Sequence, residues 1–164
     1  MNATLHEWAQ NVRRAFLGPE AEAPAAGLER PLVLCADDDD DVRALCASSL
    51  ARAGYAVDTA SNGREALEKI DQNDYAAVLL DLGMPFIHGA TVLSVIGKTK
   101  PEILRRTAVI TGAPDGAIDP LYGTVGAVLR KPLTLDSITT IVRHCVESHA
   151  PAPVESDGST VRLR

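Results

Sequence analysis

Apolar runs and amphipathic stretches alternate along most of the chain. Continuous runs such as 31–36 and 76–80 have the length and composition of strands that are buried on both faces. Between such runs, stretches such as 42–50 place apolar residues three and four positions apart, which indicates helices with one buried face. This alternation predicts an α/β domain with a parallel sheet and helices on both faces. The predicted strands are 31–36, 55–59, 76–80, 107–110 and 125–130. Four helices are predicted: the first ends at about 53, the second begins after 63, the third covers 90–98 and the last covers 135–148.

The fourth crossover, residues 112–126, departs from this pattern. It contains Gly112, Gly116, Pro120 and Gly123. Glycine and proline both disfavour the interior of a helix, because one adds backbone freedom and the other removes an N–H donor. We therefore predict a short or irregular fourth helix.

The N-terminal segment, residues 1–18, has an amphipathic pattern of its own. Its apolar stripe predicts a helix that still has a face to bury, either on its own domain or in a homodimer or docking contact. The sequence leaves both alternatives open. Composition divides the remainder into a linker at 19–30, a main domain at 31–148 and a disordered tail at 149–164. The stripe includes Leu5, Trp8, Val12 and Phe16.

Composition narrows the class of protein. Acidic residues outnumber basic residues by 22 to 16, and no clustered basic face suggests a nucleic-acid partner. No apolar run has membrane-spanning length, and no signal peptide is recognisable, so we expect a cytoplasmic protein without a membrane partner. The three cysteines lack metal-binding spacing and fit small buried apolar residues in a reducing compartment.

Polar residues follow four of the predicted strands at the point where each strand ends. Asp37 and Asp38 end the first strand, Asp81 the third, Thr111 the fourth and Lys131 the fifth. In an open parallel sheet these ends face one crevice, so the topology brings together residues that are far apart in sequence.

The predicted crevice holds more negative than positive charge. Three carboxylates against one lysine oppose one another's ionisation, and a divalent cation with oxygen ligands would relieve this, with Mg²⁺ (or Mn²⁺) preferred. Thr111 and Lys131 are then suited to bind the oxygens of a transferred phosphoryl group. Of the five consecutive aspartates, we expect only Asp37 and Asp38 at the site, and we expect residues 39–41 to stabilise the first turn of the following helix.

With these residues in place, the chain from 31 to 148 resembles the receiver domain of two-component response regulators. The resemblance is carried by four motifs in order, each at a strand end. They are A-D-D-D-D-D-V-R after the first strand, L-L-D-L-G-M-P-x-x-x-G around Asp81, V-I-T-G around Thr111, and R-K-P at Lys131.

The resemblance implies a flavodoxin-like, doubly wound five-stranded sheet in the order 2-1-3-4-5. It also implies that Asp81 accepts a phosphoryl group from a histidine kinase or a histidine phosphotransfer protein. By the same resemblance, Asp38 and Asp81 would bind Mg²⁺ directly, Asp37 through water, and the Gly83 carbonyl would join them. Thr111 and Gly112 would form the switch and phosphoryl-binding position, and Lys131 would pair with Asp81 and then with the phosphoryl group.

One position departs from the family. The family usually has an aromatic residue three positions before the lysine, where this chain has Val128, which puts the usual coupling to the switch threonine in doubt.

Three functions are weighed. The first is a stand-alone receiver that acts as a phosphorylation-dependent binding switch or relay, because the tail after 148 is too short for an output domain; it would be no enzyme beyond its own phosphorylation and dephosphorylation. The second is a pseudo-receiver that only binds partners. The third is an aspartate-nucleophile Mg²⁺ phosphatase, which would need D-x-D where this chain has Asp81-Leu82-Gly83.

Overall fold

A computed structural model describes residues 30–112, 119–121 and 123–148. The predictions for the N-terminal helix, for nearly all of the linker and for the tail lie outside these residues.

The described residues form one five-stranded parallel sheet in the order β2-β1-β3-β4-β5. The predicted fold class and strand order are therefore confirmed. The strands are β1 Leu32–Ala36, β2 Ala56–Ala60, β3 Ala77–Asp81, β4 Thr107–Thr111 and β5 Ala127–Arg130. The helices are α1 Asp40–Arg52, α2 Gly63–Gln72, α3 Gly89–Thr99, α4 Pro101–Arg105 and α5 Leu135–Glu147.

Each face of the sheet is covered by helices. Successive side chains of a strand point to opposite faces, so Leu34 and Ala36 join the core cluster under α2, α3 and α4, whereas Val33 and Cys35 join the cluster under α1 and α5. This explains why β1 is apolar at every position and β3 at every position before Asp81. All three cysteines lie buried and free in the second cluster, as predicted.

Side chains just before α1 and α2 fix where these helices begin. Asp39 Oδ1 accepts hydrogen bonds from the N–H groups of Asp41 (2.8 Å) and Val42 (3.3 Å), which satisfies two of the unpaired donors of the first turn. Asp39 therefore serves the helix as its cap, and Asp40 and Asp41 lie in its first turn, where their effect through the helix dipole stays a prediction. At α2, Asn62 Oδ1 accepts from the Glu65 N–H at 3.0 Å, and Glu65 Oε2 accepts from the Ser61 N–H at 2.8 Å.

Two segments differ from a regular strand–helix alternation. The sequence did not predict α4, because five residues are too few to show a helical period. In the fourth crossover the described residues include one 3₁₀ turn, Asp119–Leu121, and Gly123 with φ +83°. The prediction of a short or irregular helix there holds for the part of the crossover that the structure describes. Among the described helices, none combines the length and the apolar character needed to cross a bilayer.

Candidate functional site at the carboxyl edge of the sheet

The sheet itself places the predicted site residues side by side. Asp81 is the last residue of β3 and lies opposite Ile110 in β4, and the N–H of the next residue, Leu82, donates to Ile110 O at 3.2 Å. Thr111 ends β4 and is 3% exposed. The Lys131 N–H donates to Thr111 O at 3.0 Å, so the backbone carries Lys131 to the same edge.

Three carboxylates converge there. One oxygen each from Asp37, Asp38 and Asp81 lies within 4.8 Å of the others. Asp37 is completely buried and Asp81 is 4% exposed, whereas Asp38 is exposed. The cluster therefore has a buried floor and one carboxylate at its solvent side.

Lys131 bridges the two buried carboxylates. Its Nζ lies 3.1 Å from Asp37 Oδ2 and 3.2 Å from Asp81 Oδ1. Sequence reasoning paired Lys131 with Asp81 alone. The additional contact with Asp37 depends on the conformation of the chain directly after β1, which no sequence pattern predicts.

The backbone around the cluster holds the remaining carboxylate oxygens. Asp37 Oδ1 accepts from the Asp39 N–H at 3.0 Å, and Asp81 Oδ2 accepts from the Gly83 N–H at 2.8 Å. Arg43 Nη1 donates to the carbonyl oxygen of Asp37 at 2.6 Å, which fixes the turn between β1 and α1. The predicted role of the Gly83 carbonyl as a metal ligand stays a prediction.

The ionisation of the cluster reflects its burial. Burial raises the pKa of Asp81, and the charge of Asp37 raises it further, while Lys131 and the Gly83 N–H act in the opposite direction. Partial burial alone would lower the pKa of Lys131, but the adjacent carboxylates of Asp37 and Asp81 outweigh it and raise that pKa. The two carboxylates thus keep Lys131 protonated, and the negative charge of the cluster still exceeds the positive charge of this one lysine.

The residues present fit a divalent cation. Among the described residues, Asp37 Oδ2 is buried and has an ion-pair contact with Lys131 but no hydrogen bond in favourable geometry. An ionised oxygen in that position is costly unless a further positive charge reaches it. Three convergent carboxylates match the oxygen ligation that Mg²⁺ prefers.

The loop after β3 is held tightly against the site. A Cβ on Gly89 would come within 2.2 Å of the backbone oxygen of Asp81, and a Cβ on Gly63 within 2.1 Å of the backbone oxygen of Ile87. Met84 is fully buried beneath the loop. Both glycines therefore permit a backbone approach that any larger residue would block.

Phe86, in the same loop, was not singled out from the sequence. It is 91% exposed and has φ 64°, a conformation that is rare for residues other than glycine. The sequence offered no signal for it, since a phenylalanine in an apolar context usually predicts burial.

The other predicted residues fall at the expected edge or beside it. Val128 is half-buried in β5 opposite Val109, and its effect on switching stays a prediction. Gly112 is exposed, and no described residue lies within 4 Å of the position that its Cβ would take. His88 is exposed immediately before α3. The apolar stripe of the N-terminal segment lies outside the described residues.

Comparison with known proteins identifies the family. The family model described as "Response regulator receiver domain" matches residues 33–143, more than half of the chain. The chain therefore belongs to the response regulator receiver domain family of two-component signalling systems.

Curated relatives give the same result. The transcriptional regulatory protein TcrA of Mycobacterium tuberculosis is 32% identical over 123 residues, which cover 74% of this chain and 47% of TcrA. The transcriptional regulatory protein PrrA of Mycobacterium bovis is 29% identical over 117 residues, covering 71% of this chain and 50% of PrrA. The chain spans about half the length of these relatives.

Solved structures share the fold. The response regulator TrrA of Thermotoga maritima, in complex with Mg²⁺-BeF, is 30% identical with a TM-score of 0.63, and the match covers 70% of this chain and 98% of TrrA. A CheY-like receiver domain protein from Methanospirillum hungatei is 21% identical with a TM-score of 0.66, covering 73% of this chain and 96% of that protein. The second similarity concerns the fold alone.

Proposed function

We propose that Asp81 is the phosphoryl acceptor of this receiver and takes its phosphoryl group from a histidine kinase or a histidine phosphotransfer protein. The observation that carries the proposal is the position of Lys131 Nζ, 3.1 Å from Asp37 and 3.2 Å from Asp81, inside a cluster of three carboxylates. An aspartate that only stabilised the fold would not need this accumulation of like charge beside a partly buried lysine.

In the proposed reaction a carboxylate oxygen of Asp81 forms a bond to phosphorus while the bond from phosphorus to the donor imidazole nitrogen breaks. The electron pair of that bond stays on the imidazole nitrogen, which then takes up a proton. Lys131 orients the ionised Asp81 carboxylate before transfer and neutralises phosphoryl oxygens afterwards. The Thr111 hydroxyl binds a further phosphoryl oxygen, so the protein contributes mainly positioning and charge, as phosphoryl transfer requires.

The carboxylates of Asp37, Asp38 and Asp81 and the Gly83 carbonyl would hold Mg²⁺ or Mn²⁺. The ion would supply the positive charge that offsets three carboxylates and the incoming phosphoryl group. The Mg²⁺-BeF complex of TrrA, a relative of the same family, supports this assignment.

The phosphorylated domain would act as a binding switch or relay, with no catalysis beyond its own phosphorylation and dephosphorylation. The half-buried Val128 and the 3₁₀ turn in the described part of the fourth crossover argue for a readout that differs from the usual aromatic coupling. The stand-alone arrangement stays a prediction, because the chain spans only about half of its curated relatives.

A small-molecule phosphodonor tests the acceptor. Wild-type protein incubated with acetyl phosphate and Mg²⁺ should gain the mass of one phosphoryl group, and hydroxylamine should remove it, as expected of an acyl phosphate. Asp81→Asn should gain nothing, and EDTA should prevent the modification of the wild type. Asp41→Asn, which changes an exposed aspartate of the same acidic run, is the matched control and should be modified normally.

The same experiment separates the receiver from a pseudo-receiver. A wild-type chain that shows neither Mg²⁺-dependent modification nor beryllofluoride binding would refute the proposal and favour a module that only binds partners. Modification that persists in Asp81→Asn would place the acceptor elsewhere.

A further inference from the structure

An apolar groove lies between α2 and α3 near the carboxyl ends of both helices. Its lining includes Leu67 and Ile70 from α2 and Val95 and Ile96 from α3, and its volume is about 320 Å³. Leu67, Ile70 and Ile96 belong to the core cluster on this face, whereas Val95 is 37% exposed. This α2–α3 groove therefore opens the core to solvent at one place.

The rim of the α2–α3 groove is acidic. A polar depression adjoins the groove and shares Asp71 and Lys100 with it. Lys100 Nζ donates to the carbonyl oxygens of Ile70 (2.7 Å) and Asp71 (3.0 Å) and lies 3.8 Å from Asp71 Oδ1. Arg106 pairs with Asp74 at 3.3 Å, and Arg64 lies 3.8 Å from Glu68. The four rim carboxylates still outnumber these three cations. The rim carboxylates of groove and depression are Glu68, Asp71, Asp74 and Glu102.

The chain enters the domain at the edge where this groove lies. Leu32, the first residue of β1, accepts a hydrogen bond from the Ala76 N–H at 2.8 Å, and Ala76 lies only five residues after Asp71 of the groove. Leu32 also packs against the core cluster that contains Leu67 and Ile70. The linker residues 19–29 can span up to about 40 Å, and a five-residue strand measures only about 17 Å, so the preceding segment can reach the groove.

That preceding segment has the complementary chemistry. Residues 4–17 predict an amphipathic helix with Leu5, Trp8 and Val12 on one face. Helical spacing puts Arg13 on the flank of this stripe, and the segment holds two arginines against one glutamate. An apolar stripe flanked by positive charge matches an apolar groove with an acidic rim.

We infer that residues 4–17 dock in the α2–α3 groove of their own chain, with the apolar stripe over Val95 and Arg13 facing the acidic rim. The face that the sequence left open is thus buried within the chain and not in a dimer. This inference does not depend on phosphorylation of Asp81.

Trp8 reports on the docking directly, because it is the only tryptophan in the full chain. In the wild type, we expect blue-shifted emission and protection from acrylamide, unchanged on dilution and present where light scattering shows a monomer. Val95→Asp puts a charge into the groove at an exposed position and should remove both the blue shift and the protection. Arg13→Glu should weaken protection, and Glu68→Arg in the same chain should restore part of it.

Leu135→Asp is the matched control. Leu135 is another exposed large apolar residue, 47% exposed, and it lies on α5 at the opposite face of the sheet. Its substitution should leave Trp8 emission unchanged, and circular dichroism should show that both variants are folded. Solvent-exposed Trp8 in the wild type, or equal effects of Val95→Asp and Leu135→Asp, would overturn the inference. Protection that is lost on dilution, together with a dimer in light scattering, would assign the groove to the segment of a second copy and equally refute docking within one chain.

Discussion

Replacing Asp37 by asparagine tests whether the carboxylate cluster is over-charged without metal. At an effective dielectric constant of about 20, Lys131 Nζ at 3.1 Å attracts Asp37 by about 5 kcal/mol. Asp81, with an oxygen no more than 4.8 Å away, repels it by about 3.5 kcal/mol or more. The exposed Asp38 adds a smaller, screened repulsion.

The cost of removing Asp37 from water must be added to these attractive and repulsive energies. Asp37 is fully buried, and its Oδ2 has an ion-pair contact with Lys131 but no hydrogen bond from the described residues, which costs about 1–3 kcal/mol or more for a charged group. The sum is close to zero or unfavourable, so the carboxylate does not stabilise the metal-free fold. Asparagine keeps the shape and can still accept the Asp39 N–H bond through Oδ1. We therefore expect Asp37→Asn to be more stable than the wild type by about 1 kcal/mol in EDTA, since acidic sites are often kept for function at the expense of stability.

Urea unfolding and thermal unfolding, each in EDTA and in millimolar Mg²⁺, are the assays. A difference of 1 kcal/mol would shift the thermal midpoint by about 2–4 °C in a chain of this size. Mg²⁺ should stabilise the wild type by mass action and should stabilise Asp37→Asn much less. Asp41→Asn, on the exposed first turn of α1, should lose only about 0.5 kcal/mol through the helix dipole and respond to Mg²⁺ as the wild type does. Lower stability of Asp37→Asn in EDTA would refute the charge balance, and an unreduced response to Mg²⁺ would remove Asp37 from the metal site.

Three further changes test other parts of the structure. The Ser61 N–H lowers the pKa of Glu65 from its ordinary 4.5 to about 2. The stabilisation from this bond is therefore present above pH 4.5 and is lost as pH falls towards 2. Glu65→Gln should cost about 1 kcal/mol at neutral pH and little in acid, measured by urea titrations at several pH values. Gly89→Ala places a Cβ 2.2 Å from the backbone oxygen that ends β3 and should cost about 1–3 kcal/mol. Gly112→Ala, whose Cβ would have no described residue within 4 Å, should change stability by less than about 0.5 kcal/mol; equal losses would contradict the packing. Phe86→Asn should gain about 0.5–1 kcal/mol because asparagine tolerates φ 64° and the phenyl ring is exposed, and a loss in thermal unfolding would show that the ring makes a contact which offsets the strain.

The sequence by itself determined the class of fold and the edge that carries the site. Continuous apolar runs specify strands buried on both faces, and helical spacing between them specifies crossovers, so a parallel sheet follows from local patterns alone. Most predicted strand boundaries differ from those in the structure by one or two residues, because pairing with a neighbouring strand, and not the local sequence, decides where a strand ends. The short helix Pro101–Arg105 was not predicted for a related reason. Burial of Ile103 against the core holds it in place, and five residues are too few to show a helical repeat in the sequence.

Only the tertiary structure decided which residues of the site are buried and which of their atoms are in contact. A run of five aspartates looks uniform in sequence, yet the turn after β1 buries Asp37 beside Lys131, leaves Asp38 exposed and gives Asp39 to the helix cap. Likewise, Gly89 is required because its helix approaches the backbone of Asp81, a distance that no pattern along the chain contains. Local patterns are set by residues near in sequence, whereas which atoms meet at the carboxyl edge depends on how separate strands and helices pack against one another.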